Sequence, residues 1–317
     1  MGSFQVDVEA SLDVFDEEGY LALNPDIAKA VSNGQIASGR HFLGVYGNND
    51  GRKLRRTALL RERQALKAAR MAWLLRADLP WVRRGNMFDC LTDALRQETR
   101  IVSTDAISDH EYALDICAMI DRHADGLVLD CGAGQRPTYY DNVINLEIVD
   151  YATTDVLCVG EELPFEDGSI DAVISAVVLE HVADPFKCAA EIIRVLKPGG
   201  ELICCVPFLQ PEHGYPHHYY NMTRQGLRAL FDRHLIIDLH YVADTTLPIW
   251  ALTWILQSWQ QGLVGSTKET FLDLRVRDLI ASAGDFLTQP WVRELSYEKN
   301  MELAAATIIH AHKPLAG

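Results

Sequence analysis

The 317-residue sequence has no run of 18 apolar residues, no CxxC pair and no excess of positive charge. The first absence argues against a membrane-spanning helix of ordinary length. The seven cysteines (Cys90, Cys117, Cys131, Cys158, Cys188, Cys204, Cys205) are odd in number, scattered, and mostly set in apolar runs such as LICCVPF. That pattern speaks against a disulfide framework or a zinc site and for reduced core thiols. The opening MGSFQVDVEASLD lacks a basic segment followed by an apolar one, so a soluble, cytoplasmic chain is expected. With 29 Lys and Arg against 44 Asp and Glu, the net charge of −15 would repel a phosphate backbone, and no nucleic-acid partner is expected.

What is present is 48% apolar residues, enough for about two compact domains or one large domain with extensions. Three regions separate: residues 1–54, 55–125 and 126–317. In the first, Asp16 and Asn24 are candidate N-caps, Pro25 stands in a first helical turn, and Gly44, Gly47 and Gly51 punctuate the end. A small helical unit is expected, with Tyr20, Leu21, Leu23, Ile27, Val31, His41, Phe42 and Tyr46 as its mini-core. The second region is helical and basic, with apolar positions Leu59, Leu60, Leu66, Met71, Leu74 and Leu75 at helical spacing. Between Arg52 and Arg84 stand eleven Lys or Arg against two acids. Two readings of residues 52–84 are open: a solvated helix surface, or a peripheral contact with anionic lipid headgroups or a phosphorylated ligand.

The third region carries the chemistry. GLVLD, NVINLEI, AVISAV, ELICCVPF, LIIDLHYV and LAAATIIHAH are short apolar or β-branched runs, mostly separated by helical or loop segments. That order predicts an α/β fold with a parallel, helix-covered sheet, whose ligands bind beyond the carboxyl ends of the strands. The first of these runs ends in Asp130-Cys131-Gly132-Ala133-Gly134, where two glycines permit a sharp turn and close ligand approach. A dinucleotide site would want a third glycine where Pro137 stands, which weighs against a nicotinamide cofactor. Asp130 at the strand tip suits a cationic or hydrogen-donating ligand, and Glu147 at the end of the next strand can accept both hydroxyls of a ribose.

With these come LPFEDGSIDAV (163–173), SAVVLEHV (175–182), Asp184-Pro185 and EIIRVLKPGG (191–200). In that order they make residues 126 to about 235 resemble a class I S-adenosylmethionine-dependent methyltransferase. The resemblance implies a Rossmann-like, mostly parallel seven-stranded sheet with helices on both faces, preceded by the N-terminal helical extension and interrupted by a helical insertion at about 247–300. It implies S-adenosylmethionine as cofactor, held by Asp130, Cys131, Gly132, Ala133 and Gly134 at its amino-acid part, Glu147 and Ile148 at the ribose, Gly160 and Glu161 at the adenine, and Ala176 and Val177 beneath the methionine. Val159 stands where many relatives carry an aspartate for the adenine amine, and Asp150 or Asp155 could substitute. Asp171 is expected to support the fold rather than touch a ligand.

After the fifth strand of the family's pattern, the loop 207–223 holds His213, His217, His218, Tyr215, Tyr219 and Tyr220. Three histidines and three tyrosines so close together build a hydrogen-bonding pocket with a titratable base near neutral pH. His213 and His181 are the candidate catalytic residues, with proton removal, acceptor binding and structural hydrogen bonding all open for His213; His217, His218, Tyr219 and Tyr220 are the candidate acceptor-binding residues. HxxxHH beside Glu212 is not diagnostic of a metal, and none is expected. The first region further resembles a short module of bacterial surface-carbohydrate proteins, through Tyr20-Leu21, Asn24-Pro25-Asp26-Ile27-Ala28, Val31, His41-Phe42, Gly47 and Gly51-Arg52. The two resemblances together imply methyl transfer to a hydroxyl or amine of a small or carbohydrate-linked acceptor, with a non-catalytic, cofactor-binding scaffold as alternative. The insertion, with Trp250 and Trp254 on one face, reads as packing against the domain or a homodimer mate.

Overall fold

The computed structural model describes residues 2–47, 51–99, 109–214, 217–280 and 283–303. Its strands are β1 (Ser3–Gln5), β2 (Asp7–Glu9), β3 (Lys53–Arg55), β4 (Val82–Arg84), β5 (Met87–Asp89), β6 (Val128–Cys131), β7 (Thr138–Tyr140), β8 (Val143–Glu147), β9 (Val156–Leu157), β10 (Ile170–Ala176) and β11 (Leu196–Cys205). Seven of them form one sheet in the order β11-β10-β6-β8-β9-β5-β4, parallel except for the antiparallel edge pair β5 and β4. The α/β class, the seven strands and the mostly parallel order are as expected. The central strands are buried on both faces, which is why they read as continuous apolar runs.

One expected strand is not formed. LIIDLHYV, residues 235–242, forms none: Ile236, Leu239 and Val242 are exposed and no neighbour pairs with them among the described residues. Residues 304–312, another expected strand, lie outside the described residues. The β4–β5 hairpin, from the stretch expected to be a helical linker, extends the sheet at its β9 edge. β5 pairs with β9 through Phe88↔Val156 and Asp89↔Leu157. Residues 55–125 thus supply part of the sheet of the third region.

The helices are α1 (Glu17–Leu23), α2 (Pro25–Ser32), α3 (Gly39–Tyr46), α4 (Thr57–Met71), α5 (Asp93–Glu98), α6 (Leu114–Arg122), α7 (Pro185–Val195), α8 (Arg224–Phe231), α9 (Pro248–Gln261), α10 (Gly265–Leu272), α11 (Val276–Leu279), α12 (Pro290–Arg293) and α13 (Tyr297–Leu303). One face of the sheet is covered by Ala68 and Met71 of α4, Cys188, Ala189, Ile192 and Val195 of α7, and Leu230 and Phe231 of α8. The other is covered by Ile116, Met119 and Ile120 of α6. The Val, Leu, Ile, Met and Phe side chains among them, when fully buried, each contribute about 1.5–3 kcal/mol. Asp184 caps α7 by accepting from Lys187 N at 2.9 Å with Pro185 in the first turn, and Thr223 caps α8. The KPGG segment after α7 is a bulge inside β11 rather than a turn before it: pairing jumps from Ile170↔Leu196 to Ala172↔Glu201, with Gly199 at φ 79°.

The N-terminal unit is helical and packs around Tyr20, Ile27, Leu43 and Leu54, while His41 and Tyr46 face solvent. Asp16 caps α1, but the Asn24 amide bonds the carbonyls of Tyr20 and Lys53 instead of capping α2. The unit is stitched to the sheet domain, since β1 pairs antiparallel with β7, the strand that lies between β6 and β8 in the chain.

The join is reinforced by a charged core. Lys67 of α4 is fully buried; its ammonium donates to the Val143 carbonyl and to Asp155 Oδ2 at 2.9 Å, and lies 3.6 Å from the centre of the Tyr139 ring. Burial pushes the Lys67 ammonium's pKa down, against the pull of Asp155. Leu66, its apolar neighbour in sequence, is exposed. Seven of the eleven basic residues meet carboxylates: Arg52, Arg55, Arg61, Arg63, Lys67, Arg76 and Arg84 pair with Asp26, Asp7, Glu18, Asp141, Asp155, Asp78 and Asp89. Most of the stretch is thus ion-paired, and Lys67 within it is buried rather than solvated.

No helix among the described residues is long and apolar enough to cross a membrane. The insertion is helical, with a small core of its own around Leu263, Phe271, Trp291 and Leu295. Ile249, Trp250 and Leu252 of α9 are exposed rather than packed away.

Candidate functional site

A cavity of about 540 Å³ opens beyond the carboxyl ends of β6, β8, β9 and β10, within the range of small-molecule sites. One wall is the turn after β6. Gly132 and Gly134 have φ of 86° and 64°, a left-handed conformation that glycine adopts without steric cost. A Cβ on Gly132 would lie 2.5 Å from Val178 Cγ2. Gly134 N donates to Glu147 Oε2 and Ile148 N to Glu147 Oε1, both at 2.7 Å, which fixes the carboxylate at the cavity edge. Burial raises the Glu147 carboxyl above its usual range despite these two bonds. The next wall is Cys158, Val159, Gly160 and Glu161, where burial likewise raises the Glu161 carboxyl.

Val177 forms the floor at the end of β10 with φ 55°, a left-handed backbone on a β-branched residue. Such strain costs on the order of 1–3 kcal/mol and clusters at functional sites. Its N–H still donates to the Cys205 carbonyl at 2.9 Å.

The far wall is histidine-rich. His181, His213 and His217 line it together with Trp254 of α9, whose ring centre is 4.9 Å from that of His213. His181 Nδ1 is 2.7 Å from the His217 carbonyl and His213 Nδ1 is 2.9 Å from the Pro211 carbonyl. A carbonyl only accepts, so both rings carry their proton on Nδ1 and leave a lone pair on Nε2 when neutral. Burial, ahead of the neighbouring histidines, lowers the His181 pKa and favours that neutral form. Gly214 presses on His181: at φ 99°, a Cβ there would sit 2.4 Å from Cε1. Beneath lies Glu180, fully buried, with neither carboxylate oxygen hydrogen-bonded among the described residues and its pKa pushed up to about 8 by burial.

The cavity brings together Cys131, Gly132, Gly134, Glu147, Ile148, Gly160, Glu161, Ala176, Val177, His181, His213 and His217 from the residues expected of a site. It does not bring in five others. Ala133 is buried behind the turn, and Asp130 faces a second network. Asp130 Oδ2 accepts from Arg136 Nη2 at 2.7 Å, Arg136 Nε at 3.0 Å and Tyr112 Oη at 2.5 Å; Oδ1 has no hydrogen-bond partner among the described residues. Asp130 is thus tied up holding the loop. His218 accepts from His213 N at 3.0 Å and contacts Asn221, while the N–H groups of Tyr219 and Tyr220 donate to the Glu180 carbonyl. These three brace the loop rather than line the cavity. Neither substitute for the missing adenine aspartate lines it either: Asp150 is exposed and Asp155 is the partner of Lys67.

Trp254, Arg136 and Glu180 were missed by sequence reasoning. Trp254 comes from an insertion with no local signal of its destination. Arg136 stands within the glycine turn and Glu180 beside His181, so a charge lodged next to a buried strand end was the available signal.

Residues 129–204 match the family model described as a methyltransferase domain. The chain is 34% identical over 116 residues to an uncharacterized 37.1 kDa protein in transposon TN4556 of Streptomyces fradiae, covering 33% of this chain and 32% of that protein. It is 51% identical over 41 residues to an uncharacterized methyltransferase of Mycobacterium sp. (strain JLS), covering 13% of this chain and 16% of that one. The chain therefore spans a third or less of the length of these curated relatives. Among solved structures, Haemonchus contortus phosphoethanolamine N-methyltransferase 2, in complex with S-adenosyl-L-methionine, is 20% identical with a TM-score of 0.32, over 56% of this chain and 47% of that one.

The segment 129–204 is thus similar to a methyltransferase domain, and the cavity beside it has parts that fit S-adenosylmethionine. The glycine turn that a Cβ would fill, the Glu147 carboxylate and the apolar side chains Ile148, Val149 and Val159 line one continuous space.

Proposed function

We propose that the protein is an S-adenosylmethionine-dependent methyltransferase whose acceptor enters at the histidine wall. The observation that carries this reading is that one cavity is lined both by the Gly132–Gly134 turn with Glu147 and by His181, His213 and His217. When bound, the cofactor supplies an electrophilic methyl group. The chain's residues do the remaining work. Glu147 accepts from the ribose hydroxyls, Gly132 and Gly134 let the amino-acid part approach the backbone, and Ala176 and Val177 support the methionine. His181 and His213 present Nε2 lone pairs that orient a hydroxyl or amine and take its proton, while Trp254 and Val182 narrow the space around it. In-line positioning supplies most of the rate.

A small or carbohydrate-linked acceptor fits a wall of histidines and one tryptophan, and the NPDIA segment of the N-terminal unit supports a place in surface-glycan synthesis. The reading is tested by titrating the full chain with S-adenosylmethionine, S-adenosylhomocysteine and NAD in a calorimeter. Binding of the first two and not the third is expected, weakened about 10- to 100-fold in Glu147→Ala through the loss of charged hydrogen bonds. Release of S-adenosylhomocysteine with a panel of sugar nucleotides then separates an enzyme from a cofactor-binding scaffold. A folded chain that binds neither sulfur ligand would sink the proposal.

A further inference from the structure

We propose that Glu180, His181 and His213 form a binding site for a divalent first-row transition metal at the acceptor end of the cavity. Their ligand atoms all lie within 4.8 Å of one another, and His181 Nε2 is 3.8 Å from Glu180 Oε1. Three donors each about 2.1 Å from one ion stand roughly 3.4 Å apart in tetrahedral geometry. Side-chain shifts on the order of 1 Å, within reach of rotamer adjustment, therefore close the set. Two histidines and one carboxylate are a donor set for zinc, iron or manganese and leave coordination positions open.

Two independent features point to a cation here. Glu180 is fully buried and neither oxygen has a hydrogen-bond partner among the described residues, an arrangement that is costly for a carboxylate unless a cation meets it. Both histidines donate Nδ1–H to backbone carbonyls, of His217 and Pro211. That outer bond fixes the tautomer and turns Nε2 toward a metal, as in metal-ligating histidines generally. The third ring of the cluster is excluded by its contacts: His218 Nδ1 accepts from His213 N and Nε2 faces Asn221 Oδ1, so it supports the loop and offers no donor.

The site goes beyond the proposed methyl transfer and stands on the histidine wall alone. Without an ion the two Nε2 atoms are proton acceptors, as above; with one they are ligands. The open positions, facing the cavity where His181 and His213 line it, would take an acceptor oxygen or nitrogen and lower its pKa. The acceptors favoured are then those with two adjacent donor atoms, such as a vicinal diol, which can chelate the ion.

The test uses the full chain, freed of metal with a chelator and titrated with Co²⁺, read by its visible d–d absorption, then competed with Zn²⁺; Mg²⁺ is the hard-cation control. One Co²⁺ per chain, displaced by Zn²⁺ and not by Mg²⁺, is expected. His181→Ala, His213→Ala and Glu180→Gln should each weaken binding by more than the roughly 10–100-fold that loss of an outer partner costs, while exposed His234→Ala leaves it unchanged. Zn²⁺ should raise the melting temperature of the parent and not of Glu180→Gln, which keeps the result readable if a variant folds less well. No stoichiometric binding, or equal binding by Glu180→Gln and both histidine variants, overturns the site. Binding of S-adenosylhomocysteine, measured separately, reports on the opposite wall.

Discussion

The two ends of the sheet are built on different terms. At the amino ends of the strands the polar groups are paired: buried Lys67 with Asp155, buried Asn142 with the carbonyls of Ile120 and His123, and partly buried Asp171 with Leu127 N and Lys197. At the carboxyl ends lie a left-handed valine, a buried carboxylate with no hydrogen-bond partner and a hydroxyl, Ser175, in the same state among the described residues. One end is satisfied and holds the fold. The other retains strain and unpaired polarity, which stay stable only because the first end and the core outweigh them.

The comparison can be broken hardest at Lys67. Lys67→Ala leaves Asp155 as an uncompensated buried charge and is expected to cost about 3–5 kcal/mol, seen as a lower urea midpoint; Lys67→Met with Asp155→Asn should recover part of it. Gly132→Val, at the other end, should cost about 1–3 kcal/mol through strain and the clash with Val178. Its S-adenosylhomocysteine binding should vanish by calorimetry while far-ultraviolet dichroism stays native. Val177→Gly relieves an unfavourable φ, so its stability should equal or exceed that of the parent by up to about 1 kcal/mol. Its turnover should fall, because the floor of the cavity is freed; a clear loss of stability would show that the strain is not there.

The smallest effect is expected at Asp171. Burial by itself would raise this carboxyl, but the bond from the Lys197 ammonium and the Leu127 N–H outweigh it and hold it below its usual value. The group therefore contributes stability above about pH 4, and that contribution is lost as pH falls through its lower folded value. Asp171→Asn should cost about 0.5–1 kcal/mol at pH 7, discounted for its partly exposed partner, and progressively less as pH falls from about 4 through the lowered folded value. Stability curves of the two proteins that run parallel across that range would remove Asp171 from the satisfied end.

Much of the cavity was legible because its signals are local. A glycine whose φ is positive, an acid at the end of a buried strand and an Asp-Pro helix start each depend on a few neighbouring residues. The parts that were not legible depend on partners far along the chain. The hairpin β4–β5 falls in a stretch that reads as helical and basic, and pairing with the edge of β9 makes it sheet. Lys67 looks like one more surface lysine until Asp155, 88 residues on, meets it. The aspartate that sequence assigns to a ligand, Asp130, is claimed first by Arg136 and Tyr112. The opposite error arose at residues 235–242, where β-branched composition promised a strand that no neighbour pairs with among the described residues.

The sequence by itself thus determined the α/β class, the parallel central strands, the glycine turn after β6 and the histidine-rich loop, since period, glycine conformation and helix capping act over a few residues. Only the tertiary structure decided which strands close the sheet, which charges are buried, which of the histidines face the cavity and that Glu180 lies beneath two of them. Those outcomes turn on desolvation and pairing between distant segments, and a buried charge is tolerated or not according to what the fold sets beside it.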